Sequence, residues 1–274
     1  YAYEDFVEGI RPETKNDTVT YSVRHGVLRR LCDRARKQPQ KRFALFIDEI
    51  NRGNVAKIFG ELITLVEDNK RISTDTSGER LSTCTGLEVQ LPYSGDSFGV
   101  PVNVDVIATM NTADRSIALL DTALRRRFAF EELTPRPAVL DESFDDGTGN
   151  KLDLRKLLEI MNERLSHLLG RDQTIGHSYL FHLKTFGDLR GVIARQIIPL
   201  LQEAFYDDWR QVRYVLADQT VEPDLQLVRA RPQSAAKLFP NADPQVVGDG
   251  EVFEVIREDD STPDAIRKIY EPPE

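Results

Sequence analysis

The run Phe43–Ile47 climbs through five apolar residues and stops on two adjacent carboxylates, Asp48 and Glu49, followed by Ile50, Asn51 and Arg52. A short, continuously apolar run of this kind reads as a strand buried on both faces of a parallel sheet. Acidic side chains are rarely buried unless a cation or hydrogen-bond donors meet them. Either the strand stops at Ile47 or the two acids face a cation. Taken alone, the Asp-Glu pair also suits the first turn of a helix, where carboxylates meet the positive end of the backbone dipole.

A second run narrows the choice. The segment VNVDVIATMN, residues 102–111, alternates, turns wholly apolar and ends on the polar tip Asn111. Between the two runs, Val55, Ile58, Phe59, Leu62, Ile63, Leu65 and Val66 recur at helical spacing. Residues 71–102 are rich in Thr, Ser and Gly and read as an inserted hairpin or loop, with LEVQLPY as its clearest strand. A helix over 117–126 and a third strand in FAFEEL, residues 128–133, are expected next. Upstream, residues 21–38 read as a basic amphipathic helix ended by the turn at Pro39. Short apolar strands separated by helical segments predict an α/β domain with a mainly parallel sheet, whose ligands sit at the carboxyl ends of the strands. Asp48, Glu49 and Asn111 all fall at such ends. An Asn there is either a turn residue or a group that orients a reacting water or senses a terminal phosphate.

The pattern changes at TPRPAVLDESFDDGTGN, residues 134–150, a linker rich in Pro, Asp and Gly. Amphipathic helices are expected over 151–169 and 188–206, with IGHSYLFHL between them. The organisation predicted is an α/β domain over 1–133, the linker, a small α-helical domain over 151–220 and a C-terminal extension over 221–274. In that extension EVFEVI reads as a strand and PDAIRKIY as a short helix, without an assigned role.

Composition excludes several classes. No apolar run approaches the roughly eighteen residues that a membrane span needs, so no membrane partner is expected. The first residues lack the basic start and apolar centre of a secretory signal. Two cysteines cannot build a disulfide framework or a four-cysteine zinc site, and a reduced, cytoplasmic protein is expected. A net charge of −9 argues against wrapping nucleic acid with the bulk surface. Two basic clusters remain: LRRLCDRARK, residues 28–37, reads as a solvated helix face, and ALRRRF, residues 123–128, precedes the third strand.

The string IDEINRGNVAKIFGELITLVED, taken with MNTADRSIALLDTALRRRFAFEEL, resembles the AAA+ motor domain of the McrB family, the GTP-hydrolysing subunits of modification-dependent restriction systems. YAYEDFVEGIRP at the start and IGHSYLF and IIPLLQEAFYDD further on extend the resemblance over about residues 1–217. It implies a P-loop-type AAA+ parallel-sheet core followed by a helical lid. It assigns Asp48 and Glu49 to the Walker B position, with Asp48 holding Mg²⁺ through its water shell and Glu49 polarising the attacking water. Asn111 becomes sensor 1, and Asp114 and Arg115 continue the N-T-A-D-R-S signature at the nucleotide. Arg126 and Arg127 match the arginines that reach the neighbouring subunit's nucleotide, where such fingers are worth roughly 10³ to 10⁵ in rate. Asp121 either orients Arg115 or Arg126 or is a plain surface neighbour. His177 falls where the lid faces the sheet domain, as a structural histidine or a nucleotide sensor. Asn51 and Arg52 are expected at a subunit interface.

The resemblance further implies a homo-oligomeric ring, a hexamer, with GTP favoured over ATP, an McrC-like endonuclease partner and DNA passing through the complex. The other functions considered are a MoxR-like chaperone ATPase and a non-hydrolysing scaffold. The family's phosphate loop has the form G-x-x-x-x-G-K-[ST]. No two glycines here stand five apart, so these residues do not contain it. The expectation is a chain that starts after the P-loop strand and helix and is inactive alone, rather than a split or degenerate ATPase.

Overall fold

A computed structural model of the chain describes residues 1–15, 18–112, 122–219, 221–240 and 248–271. Asp114, Arg115 and Asp121, and the first half of the helix expected over 117–126, lie outside the described residues. The chain divides into two compact units, Tyr1–Glu131 and Glu132–Glu274.

The first unit opens with a short helix α1 (Tyr3–Phe6) and a hairpin of β1 (Glu8–Lys15) and β2 (Thr18–His25), antiparallel with Ile10 opposite Val23 and Pro12 opposite Tyr21. The helix expected from residue 21 therefore begins only at Val27, as α2 (Val27–Arg36). Residues 18–24, TVTYSVR, alternate β-branched or aromatic with polar side chains, and a paired strand suits them better than a helix. Gly26 fixes the boundary. Its N–H donates to the Val7 carbonyl at 2.6 Å, and a Cβ there would lie 2.3 Å from the backbone of Phe6.

The next strand, β3 (Phe43–Ile47), leads through a 3-10 turn at Ile50–Arg52 into α3 (Val55–Phe59) and a 3-10 segment, Gly60–Val66. Gly60 separates the two with φ near 54° and ψ near −134°, a conformation that only glycine adopts without strain. The predicted insertion contains a small antiparallel hairpin of β4 (Val89–Gln90) and β5 (Ser97–Phe98). Strand β6 (Val104–Ala108) then pairs with β3 in parallel, Phe43 against Val104 through Ile47 against Ala108. The last described helix of the unit is α4 (Thr122–Arg125).

Two expectations about this sheet are corrected. Residues 128–133 form no strand, and Phe130 and Leu133 stay exposed, with the Arg125 guanidinium lying over the Phe130 ring at 5.6 Å. Two consecutive acids follow Phe130, and no described strand pairs with the segment. Nor is β3 buried on both faces. Leu45 and Val104 enter the core, whereas Phe46, 73% exposed, and Ile107 lie on an uncovered face among the described residues.

The basic cluster on α2 is also more than a solvated face. Arg29 is buried and donates to the carboxylates of Glu8 and Asp96 and, at 3.1 Å, to the Ser94 hydroxyl. Arg36 donates to the Gly99 carbonyl at 2.8 Å and lies over the Phe98 ring, and Arg34 lies over Phe43. Asn103 closes the helix's far end, its Nδ2 reaching the carbonyls of Ala35, Gln38 and Lys41 at 2.8 to 3.1 Å. Beneath lie Phe6 and Phe59, with ring centroids 4.7 Å apart, and Cys32. Burial pushes the Cys32 thiol up to about 12, so it behaves as an apolar core residue.

The second unit is mainly helical. A hairpin of β7 (Phe144–Asp145) and β8 (Lys151–Leu152) precedes α5 (Leu154–Leu169), which Asp153 caps by accepting from the Arg155 and Lys156 amides at 3.0 Å. Then come α6 (Ser178–Phe181) and α7 (Phe186–Val192), the latter begun by a capping box between Thr185 and Asp188. A five-residue π turn, Ile193–Ile197, joins α7 to α8 (Ile198–Ala204), and α9 (Trp209–Leu216) follows. Beyond residue 220, β9 (Val228–Gln233), α10 (Ala235–Leu238), β10 (Gly250–Val255) and α11 (Pro263–Arg267) complete the unit, with β9 and β10 antiparallel. Leu140 and Phe144 from the Pro- and Asp-rich segment, and Leu227, Ile266 and Ile269 from beyond residue 220, share one core with Leu157, Met161 and Val215. No helix among the described residues is long and apolar enough to cross a membrane.

Candidate functional site

Parallel pairing in register makes β3 and β6 end at the same level, so their exits lie side by side. Thr109 joins them. Its N–H donates to the Ile47 carbonyl at 2.9 Å, and its own carbonyl accepts the Ile50 amide at 3.0 Å. Its hydroxyl accepts the Glu49 amide at 3.0 Å and donates to Asp48 Oδ1. One residue therefore takes part in four bonds across the gap between the strands.

The chain bends sharply here. Glu49 sits in the left-handed region, φ 51° and ψ 52°, at the start of the Ile50–Arg52 turn. A non-glycine residue held there costs on the order of 1–3 kcal/mol, and such strain concentrates at functional positions. The bend separates the two acids. Asp48 is exposed and held through one oxygen by Thr109, while Glu49 pairs with Arg52, Oε2 to Nε, at 2.7 Å. A second rung lies just beyond Thr109, where Asn51 Nδ2 donates to the Asn111 carbonyl at 3.2 Å.

The structure brings Asp48, Glu49 and Asn111, which the strand-end reading named, to one place, with Asn51 and Arg52 beside them. The carboxylate and amide oxygens of Asp48, Glu49 and Asn111 are a hard donor set suited to a divalent cation that keeps much of its water shell, the habit of Mg²⁺. Among the described residues no group of three or more His, Cys, Asp or Glu could hold a metal ion outright.

The two arginines that sequence reading treated alike stand apart. Arg127 is largely buried, 13% exposed, and pairs with Glu67 Oε1 at 2.9 Å, whereas Arg126 is exposed. Glu67 and Thr109 were both missed by sequence reasoning. Thr109 carried one faint signal, a hydroxyl at the position directly across from two strand-end acids; Glu67 had none, because only the fold brings it to Arg127.

His177 lies in the second unit, directly before α6. Its Nδ1 accepts the Arg136 backbone N–H at 3.2 Å, which assigns the ring proton to Nε2.

Comparison with known proteins identifies the two domains. Residues 1–128 match the family described as AAA domain (dynein-related subfamily), and residues 153–213 match the McrB alpha-helical lid domain. The type IV methyl-directed restriction enzyme EcoKMcrB subunit of Escherichia coli (strain K12) is 37% identical over 226 residues, 76% of this chain and 46% of that protein. The type II restriction enzyme BsuMI component YdiS of Bacillus subtilis (strain 168) is 30% identical over 153 residues, 54% of this chain and 45% of that protein. The chain spans about half the length of these relatives. Fold and site define an AAA domain followed by a helical lid. The chain belongs to the McrB-type AAA+ proteins.

Proposed function

We propose that the protein carrying this chain is the nucleoside triphosphatase motor of a cytoplasmic restriction system, with GTP favoured over ATP. The observation that supports this reading is the joint placement of Asp48, Glu49 and Asn111 at the common end of β3 and β6. When bound, Mg²⁺ neutralises charge on the nucleotide phosphates. Asp48 would hold it through water, Glu49 would polarise the attacking water and Asn111 would orient that water. Asp114 and Arg115, further along the chain, contribute at the same nucleotide.

Hydrolysis is placed at subunit interfaces of a hexameric ring. Arg126, exposed, is the arginine that reaches the neighbour's nucleotide, and Arg127, already bound to Glu67, fixes the stem from which it projects. Turnover drives DNA translocation for an McrC-like endonuclease.

The test is steady-state hydrolysis of GTP and ATP by this chain beside a form extended upstream through the expected phosphate loop. Turnover by the extended form that Glu49→Gln lowers by about 10²-fold or more, and Arg126→Ala by about 10³-fold with nucleotide binding retained, is the expected result. Absence of turnover in both forms, even with a partner nuclease present, overturns the motor reading in favour of a scaffold.

A further inference from the structure

We propose that Thr109 is a positioning residue for the hydrolytic acids, holding Glu49 and Asp48 in register through its hydroxyl; the inference deepens the nucleoside triphosphatase reading and rests on it. The left-handed turn at Glu49 points its amide toward the exit of β6, and the Thr109 hydroxyl is the acceptor that meets it. The hydroxyl's proton is then directed to Asp48 Oδ1. A single side chain therefore sets both the backbone conformation of one acid and the orientation of the other.

Chemistry limits what can replace it. The position needs a group that accepts from an amide and donates to a carboxylate at once, which a hydroxyl does and a methyl cannot. Fixing one Asp48 oxygen selects which carboxylate edge faces a hydrated cation, and partners of this outer kind typically change metal affinity or activity by about 10- to 100-fold when removed. Thr109 is exposed, so its hydroxyl bonds contribute little to folding. Loss of the hydroxyl is therefore separable from loss of the fold. Through the strand the same residue also links Glu49 to Asn111, two positions further on and bonded back to Asn51.

The experiment compares Thr109→Val, nearly isosteric but without the hydroxyl, and Thr109→Ser, which keeps it, in the full-length protein. Two readouts are taken: amide hydrogen exchange across residues 47–52 without nucleotide or metal, and steady-state turnover as a function of Mg²⁺. Thr109→Val is expected to melt near the parent temperature and to exchange the Glu49 amide faster. Its kcat should fall about 10- to 100-fold with a higher Mg²⁺ requirement and little change in KM for nucleotide, and Thr109→Ser should restore all of these. Unchanged exchange at Glu49 together with turnover within about twofold of the parent overturns the proposal, as does a Ser variant as impaired as the Val variant. A parent protein that binds but never hydrolyses nucleotide removes the motor reading instead, and exchange at Glu49 still decides whether Thr109 holds that turn.

Discussion

Glu8 is fully buried in the first unit, and its carboxylate accepts from Arg29 and from the Tyr93 and Ser94 amides at 3.0 and 2.9 Å. Burial alone would raise its pKa, but the hydrogen bonds from Ser94 and Tyr93 and the Arg29 charge outweigh it and hold the carboxyl below its ordinary value near 4.5. The sign follows from linkage: a carboxyl with a depressed folded pKa adds stability that is present above the unfolded value and lost as pH falls through the folded one. Glu8→Gln should therefore cost about 3 kcal/mol at neutral pH, since it leaves a buried guanidinium short of a partner. Denaturant titrations of both forms should show the gap flat above about pH 5 and shrinking below it; a gap independent of pH would show that Glu8 is not held as the charged partner. Nothing in the sequence distinguished Glu8 from its acidic neighbours Glu4 and Asp5, because its burial depends on a loop more than eighty residues away.

Elements were legible where one face of one segment decides the outcome. Strands β3 and β6 and helix α5 follow from their own apolar spacing, and the acids of the site were readable because charge at the end of an apolar run needs a reason. The β2–α2 boundary was not legible. Val27, Leu28 and Leu31 continue helical spacing backward toward Val23, and what breaks the helix is the approach of Phe6 to Gly26, a tertiary event. Gly26→Ala should consequently destabilise by about 3 kcal/mol through overpacking, more than the loss of a glycine N-cap alone would cost. Equilibrium unfolding measures it, and a neutral or stabilising effect would show that the boundary is set by the strand instead. Residues 134–150 misled in the opposite sense: their Pro, Asp and Gly content suggests a tether, yet Leu140 and Phe144 are buried.

At the scale of the whole chain, each unit has a core of its own, and the second is closed by residues far apart in sequence. Lys268, buried, donates to Asp218 at 2.6 Å and to the Leu216 carbonyl at 2.7 Å, and Arg164 on α5 donates to the Ile269 carbonyl at 2.8 Å. Burial pushes Asp218 up and Lys268 down, and each charge opposes the other's shift. Lys268→Met leaves the Asp218 carboxylate without its cation and should cost about 3–5 kcal/mol, read as a lower unfolding midpoint of the second unit; a loss below about 1 kcal/mol would mean that the Leu227 and Val228 amides, which donate to Asp218 at 3.0 and 2.8 Å, suffice. The same closure bears on the order of folding during synthesis, when domains generally form as units from the N-terminal side. Helix α5 leaves the ribosome after Leu140 and Phe144, but about a hundred residues before Ile266 and Ile269, which complete the same core. For that interval the core of the second unit stays open on the side that those residues close, which ties the yield of folded protein to how fast translation passes residue 220.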